Sequence, residues 1–482
     1  MKPLERLLAE GDDASRPLGL KRTLGAASLA AMGIGAIIGT GIFVLTGVAA
    51  ATRAGPALTL SFIVAGIASA FAALCYSEVA SRIPISGSAY TFAYASLGEF
   101  VAWIIGWDLV LEYALGAATV SIGWSGYFLT LLRNLFGFTL PPALQESHWV
   151  VGAGGSVTAT PGLFNLPAFC IIVLIGILLY RGTRESALVN NIIVVIKLAV
   201  VLFFIALGYG HVNTANWEPY FPFGITGMLG GASFIFFAYI GFDAVSTAAE
   251  EAKNPKRDLP IGIIGSLAIC TVLYIVVVAI LTGMVPYAKL NVSSPVAFAM
   301  EHVGLGWASA LISLGAIAGL TTVLLVMMFG QTRVFFSMAR DGLLPPVFSK
   351  LHPRFHTPGL STIIFTIFIA LIAAFTPIGI VGSLTNMGTL AAFILVAIAL
   401  PLIRRRYPQT TGFTVPFGPY VIPALAAITA FGLIVTLQFG SPLWLGIPSP
   451  WLGFIVWLIV GLFVYYGYGR RNSTVGKEEH AA

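Results

Sequence analysis

The stretch GIGAIIGTGIF, Gly33 to Phe43, puts four glycines and a threonine inside an apolar segment long enough to cross a bilayer. Each glycine costs a helix interior roughly 1 kcal/mol relative to alanine, so the cluster predicts a break rather than a continuous rod. In lipid, backbone groups freed by a break are tolerated only where protein buries them or they line a cavity. The break is therefore the first candidate binding site. The competing reading is that the glycines serve only close helix packing; their spread over different faces of the helix speaks against it.

Composition names the solvent. Of 482 residues, 58% are hydrophobic and 9% charged, against about 25% charged in a soluble domain, and the mean hydropathy is +0.93. This predicts an all-α polytopic membrane protein. Twelve apolar stretches begin near residues 24, 56, 98, 164, 187, 223, 260, 304, 359, 379, 418 and 450, each about 17 to 30 residues long, as a spanning helix requires. The division at FTPIG, Phe375 to Gly379, is the shortest.

Every Lys and Arg except Arg53, Arg133, Lys197 and Lys289 falls in segments that share one side once the N-terminus is placed there. The positive-inside rule then puts both termini in the cytoplasm, in a protein expected in the plasma membrane. The net charge of +6 fits attraction to anionic lipids and needs no nucleic acid. Residues 1–23 mix both charge signs around Pro17 and read as a cytoplasmic tail, not a signal peptide. Cys75, Cys170 and Cys270 sit in apolar spans without disulfide or metal spacing, and no histidines pair at ligand spacing. The GxGxxG dinucleotide fingerprint fails at Ile38. No metal, cofactor or catalytic constellation is expected, so the chain does not read as an enzyme. The Gly- and Thr-rich loop from Leu140 to Pro161 carries no motif, while Glu78, Trp451, Tyr465 and Tyr466 read as interfacial residues.

The spans group into two blocks of nearly equal length, residues 24–208 and 223–403, followed by two further helices over 404–470 and a cytoplasmic tail at 471–482. Five spans per block is an odd number, so the second block must run through the membrane inverted. Inverted repeats place a midplane site where corresponding helices of the two halves are interrupted. The counterpart of span one is span six, which carries its own interruption at FFAYIGFDAVS, Phe236 to Ser246.

These two stretches, together with PISGSAYTF (Pro84 to Phe92), EEAKNPKRDLPIGI (Glu250 to Ile263) and GQTRVFFSMARDGLLP (Gly330 to Pro345), resemble the amino acid–polyamine–organocation superfamily, and within it the cationic amino acid transporter family. The resemblance covers residues 20 to 470 or so. It implies a leucine-transporter-like fold, a five-plus-five inverted repeat with two added helices, twelve in all.

The chemistry of the breaks follows from the backbone. The first half of span one ends near Ile37 with unpaired carbonyls, and the second half begins near Gly41 with unpaired N–H groups. Each helix end carries about half a unit charge, positive at the N-terminus and negative at the C-terminus. A zwitterionic L-amino acid fits such a pair. Its carboxylate would sit on the N–H groups of Gly39, Thr40 and Gly41 with the Thr40 hydroxyl, and its ammonium on the carbonyls of Ile37, Phe237 and Ile240. The family motif gives the matching positions the same roles. Phe237 reads either as core packing or as a lid, since span-six aromatics close this site in the proteins the chain resembles.

Lys197 lies roughly 15 Å from the nearer end of span five, too deep for easy snorkelling. An ionisable group there is functional by default. In sodium-coupled proteins of the fold that the chain resembles, a cation sits between helices one and eight near helix five, and the resemblance implies that the Lys197 ammonium stands in for it. Because taking an ammonium out of water disfavours its charged form, Lys197 is expected to exchange the coupling proton. The alternative is a structural peg held by carbonyls or a carboxylate. Asp108 and Glu112, spaced i, i+4 on span three, would repel on one face, and Glu112 is the expected partner of Lys197. Asp243, just after the span-six break, is expected to gate the path or accept a hydrogen-bond network.

The expectation is a proton-coupled L-amino acid symporter working by alternating access, broad in substrate and including small neutral amino acids. An exchanger, or a sensor without flux, would use the same pocket. Lipids are its other partners, and the sequence implies no oligomer beyond a monomer.

Overall fold

The computed structural model describes residues 24–83, 89–182, 187–406, 408 and 412–474; the tails at 1–23 and 475–482 and the first half of the PISGSAYTF motif lie outside them. Apolar sequence without water leaves the backbone only its own hydrogen bonds, and helices dominate. Among the described residues, eight segments are long and apolar enough to cross a membrane: Gly41–Arg82, Glu99–Phe136, Asn191–His211, Gly224–Ser246, Pro255–Met284, Gly306–Arg340, Ile378–Arg406 and Ser449–Asn472. Four more apolar helices, Ala26–Ile37, Leu166–Arg181, Gly359–Phe375 and Val421–Thr436, are shorter.

In chain order the longer described helices are α1 (Ala26–Ile37), α2 (Leu58–Arg82), α3 (Glu99–Val110), α4 (Gly116–Phe136), α5 (Leu166–Arg181), α6 (Ala187–Gly208), α7 (Gly224–Ile235), α8 (Pro255–Met284), α9 (Gly306–Arg340), α10 (Gly359–Phe375), α11 (Ile378–Arg406), α12 (Val421–Thr436) and α13 (Ser449–Val464). A single π turn, Leu111–Leu115, joins α3 to α4. Only Thr376 and Pro377 separate α10 from α11, at the FTPIG division.

Helix α8 lies against both α1 and α2, α9 against α4 and α6, and α10 against α5. Small residues set these distances, as they do between membrane helices. A Cβ on Gly33 of α1 would stand 2.4 Å from the Ser266 hydroxyl of α8, and one on Gly176 of α5 would stand 2.2 Å from that of Thr366 on α10. Helix α13 is fastened to α3 by a reciprocal pair: Trp107 Nε1 donates to the Trp457 carbonyl at 2.9 Å and Trp457 Nε1 to the Trp107 carbonyl at 3.1 Å, with the rings stacked 4.6 Å apart.

Two surface assignments change. Glu78 is not an interfacial residue but fully buried at the base-rich end of the bundle. Arg404 of α11 grips it with Nε and Nη2 at 2.5 Å, Arg82 Nε donates at 2.7 Å, and the Val415 N–H donates at 2.7 Å. Tyr465 is also buried, donating to Glu99 at 3.2 Å, whereas Tyr466 is 52% exposed. The Gly- and Thr-rich loop over 140–161 contains an antiparallel hairpin of Trp149–Val151 with Val157–Ala159.

Candidate functional site

Both breaks are present, and they cross in direct backbone contact. Helix α1 ends at Ile37; Ile38 is extended (φ −71°, ψ 103°), and the helix resumes through Thr40 into a π turn at Gly41–Leu45. Helix α7 gives way to a 3-10 turn at Phe236–Tyr239. Ile240 is extended, Gly241 takes φ +115°, and a second 3-10 stretch runs over Phe242–Glu251.

Two glycines make the crossing possible. A Cβ on Gly41 would lie 2.2 Å from the Ala238 Cα, and one on Gly241 would lie 2.9 Å from the Ala36 carbonyl. The conformation of Gly241 is also one that side-chain-bearing residues rarely adopt. Each break thus presses on the other where only backbone fits.

Of the expected substrate-contacting residues, Ile37, Thr40, Phe237 and Ile240 are at most 4% exposed, so the crossing is closed. Several carbonyls there already accept hydrogen bonds. The Tyr274 hydroxyl donates to Ile37 at 2.9 Å, and the Ile240 N–H donates to Phe237 at 3.2 Å. Asn386 Nδ2 donates to the Ser233 and Phe234 carbonyls at 2.9 and 2.7 Å. Thr40 differs: its hydroxyl is buried without a hydrogen-bond partner. Such an orphan is uncommon in native structures and calls for an explanation. A Cβ on the neighbouring Gly39 would meet only Val323 of α9, at an ordinary 3.4 Å.

Lys197 of α6 is 1% exposed and donates from Nζ to the Gly35 carbonyl of α1 at 2.7 Å. Its stem crosses α9 at Gly319, where a Cβ would come within 2.9 Å of Cγ and Cε. The ammonium is therefore wedged between the first and eighth expected spans. The expected pairing with Glu112 does not appear among the described ion pairs. Glu112 lies buried in the π turn, with Thr389 of α11 and Asp243 within electrostatic reach. Glu112 and Asp243 thus come together, and Lys197 stands apart from both. Both Asp108 carboxylate oxygens are buried without a partner.

Sequence reasoning missed Tyr274, Asn386 and Gly319. Asn386 left a signal, since an amide in the middle of an apolar span must find partners inside the bundle. Tyr274 and Gly319 left none, because a tyrosine and a glycine are ordinary in such helices.

The model of a protein family described as amino acid permease matches residues 24–465. The chain is 48% identical over 477 residues to the methylthioribose transporter of Bacillus subtilis, covering 99% of this chain and 98% of that one. It is 50% identical over 460 residues to the branched-chain amino acid permease BcaP of Bacillus subtilis, with 95% of each chain covered. It is 38% identical over 394 residues to the vacuolar cationic amino acid transporter 4 of Arabidopsis thaliana, covering 80% of this chain and 64% of that one.

Proposed function

We propose that this chain, which belongs to the amino acid permease family, is a secondary active transporter that carries L-amino acids with a proton by alternating access. One observation carries the reading: two helix breaks cross at Gly41 and Gly241 beside a buried Thr40 hydroxyl that has no partner. A carboxylate fits that place, accepting from the N–H groups of Gly39, Thr40 and Gly41 and from the Thr40 hydroxyl at the positive end of the resumed helix. The ammonium would use the carbonyls of Ile37, Phe237 and Ile240. A backbone carbonyl has two lone pairs, so the bonds from Tyr274 and Ile240 leave room for it. Phe237 then serves as the lid.

In this reading twelve spans form two inverted five-helix repeats, residues 24–208 and 223–403, with 404–470 added outside them. Both termini face the cytoplasm of a plasma-membrane protein, which is supported by the distribution of Lys and Arg. Lys197 is the proton-exchanging group. Protonated, it ties α1 to α6 and α9 through Gly35; having given up its proton, it holds that carbonyl less strongly, and the first half of span one is free to swing. Glu112 and Asp243 gate the path beside the second break. The names of the relatives, a branched-chain amino acid permease and cationic amino acid transporters, support amino acids as the substrate class, and broad uptake including small neutral ones is the version we put forward.

The test is uptake into proteoliposomes in sodium-free buffer, with a panel of alanine, leucine, valine, arginine, lysine and methylthioribose, with and without an inward proton gradient. Accumulation of amino acids that requires the gradient supports the reading. Flux only when substrate is present on both sides, or methylthioribose alone among the panel, overturns it.

A further inference from the structure

At the end of the bundle opposite the Glu78–Arg404 joint, a cavity of about 150 Å³ borders the resumed half of span one. Its floor is Val44 and Val48 of that segment and Ile122 of α4. Val44 stands one helical turn, about 6 Å, beyond Thr40. Gly123 of α4 closes the partition between cavity and crossing, since a Cβ there would come within 2.7 Å of Val44 Cγ2 and 3.1 Å of Thr40 Cγ2. A water needs roughly 10–15 Å³ of such space, so the cavity takes on the order of ten non-hydrogen atoms, as many as one free amino acid.

The polar wall is built around Asn165, which caps the N-terminus of α5 and is 3% exposed. Its Oδ1 accepts from the Ala168 N–H at 3.1 Å and from the Ser125 hydroxyl of α4 at 2.7 Å. A backbone N–H can only donate, so this atom is the oxygen and the orientation of the amide is fixed. The Nδ2 end makes no hydrogen bond among the described residues, and its two donors are left for the cavity that Asn165 lines. Unspent donors on a buried side chain call for a partner. On the loop side stands the exposed Glu146, the one ionisable side chain among the described lining residues, in no described ion pair. The walls are held in place. The Thr130 and Ser294 hydroxyls bond at 2.8 Å, tying the loop before Pro295 to α4, and a Cβ on Gly379 would touch Val151 of the hairpin at 3.5 Å.

We infer that this cavity is a second amino acid site, in which Asn165 and Glu146 hold one free neutral L-amino acid before it reaches the crossing. Such a site presupposes that the crossing takes L-amino acids, as proposed. Each part of the molecule has a counterpart. The carboxylate accepts from Asn165 Nδ2, a fixed donor that has lost its water and has no other bond to make. The ammonium takes the Glu146 carboxylate at the mouth, and an aliphatic side chain lies on Val44, Val48 and Ile122. A lone cation would use Glu146 and leave the Asn165 donors unspent, and a lone carboxylic acid would do the opposite, so a zwitterion is the better occupant. An acidic amino acid would bring a second carboxylate against Glu146, which is unfavourable. Separation of Val44 from Gly123 would then pass the ligand one turn down to Thr40.

The test uses the full-length protein carrying Cys170→Ser and Ser293→Cys, so that the exposed native thiol is gone and a reporter stands on the cavity wall. A charged thiol reagent labels the reporter, and leucine is expected to slow the labelling saturably. The half-protecting concentration should be the same when Thr40→Val is added, which weakens the crossing alone. It should rise about tenfold with Asn165→Asp, which keeps the helix cap but replaces the free donors with an acceptor. Glu146→Gln should raise it about threefold, as the loss of an exposed ion pair does. Isoamylamine and isocaproate, each with one of the two charges of leucine, should protect more weakly, and so should glutamate. Should Asn165→Asp fail to fold, the exposed Glu146→Gln carries the comparison. A midpoint that moves tenfold with Thr40→Val overturns the inference, as does protection that neither Asn165→Asp nor Glu146→Gln weakens, or protection by isoamylamine or isocaproate equal to that by leucine. Uptake into proteoliposomes without protection overturns this site and leaves the transport reading standing; protection without uptake keeps the site and overturns transport.

Discussion

Lys197 Nζ donates to the Gly35 carbonyl at 2.7 Å, so one ammonium joins α6 to the last turn of α1 before the break. Replacing Lys197 with Met keeps most of the stem over Gly319 and removes the donor. Uptake driven by a proton gradient is expected to fall tenfold or more, while substrate still shifts the unfolding temperature of the variant. Parallel uptake and thermal-shift measurements separate the two effects. If Lys197→Met keeps full gradient-driven uptake, the lysine is a structural peg and the coupling group lies elsewhere.

Thr40 offers a cleaner test of the binding site. Its hydroxyl has no partner to lose, so Thr40→Val should leave stability unchanged or slightly improved, since removing an unsatisfied buried polar group relieves its desolvation cost. Amino acid binding should nevertheless weaken tenfold or more, the equivalent of about 1.5–3 kcal/mol for a hydrogen bond to a charged group. Thr40→Ser should recover most of it. Equal KM values for wild type and Thr40→Val, measured by initial rates of uptake, would remove the hydroxyl from the site.

The two glycines at the crossing should respond differently from their neighbour. Gly41→Ala and Gly241→Ala each drive a Cβ into backbone at 2.2 and 2.9 Å, and Gly241 must also give up φ +115°. Overpacking of this kind costs typically about 1–3 kcal/mol, and here neither partner is a flexible side chain that could move aside. Both variants should unfold at lower temperature and lose transport. Gly39→Ala meets only Val323 at 3.4 Å, so it should fold normally and show its effect in KM. Equal thermal stability across the three variants would mean that the crossing tolerates a side chain.

The breaks were legible because glycines cluster there: Gly39, Gly41 and Gly241 stand where the chain interrupts its helices, whereas Gly33 and Gly35 lie inside α1 and serve its packing against α8 and α6. The membrane setting was legible from composition alone. What the sequence did not disclose is pairing across the bundle. Glu112 was matched to Lys197 on charge, yet Asp243 and Thr389 are the groups within its reach, and both are too distant in sequence for any local pattern to pair them with it. Glu78 read as an interfacial residue because its partner Arg404 is more than three hundred positions away, and no local pattern carries that distance.

That partnership supports the last prediction. The Glu78 side chain is fully buried and Arg404 keeps 17% exposure, so the pair is not one of the surface ion pairs that contribute about 0–1 kcal/mol. Removing one partner of a buried pair costs about 3–5 kcal/mol because the other charge is left uncompensated. Glu78→Gln should fall toward the lower end of that range, since Arg404 reaches some water and a glutamine oxygen can still accept from the Val415 N–H. Arg404→Lys keeps the charge but loses the two-pronged grip, and it should fall between Glu78→Gln and wild type. Thermal unfolding in detergent ranks the three proteins. Because Glu78 joins α2 to α11 and stands apart from the substrate crossing, the folded fraction of Glu78→Gln should keep the wild-type KM. An unchanged unfolding temperature would show that the Val415 contact alone carries the joint.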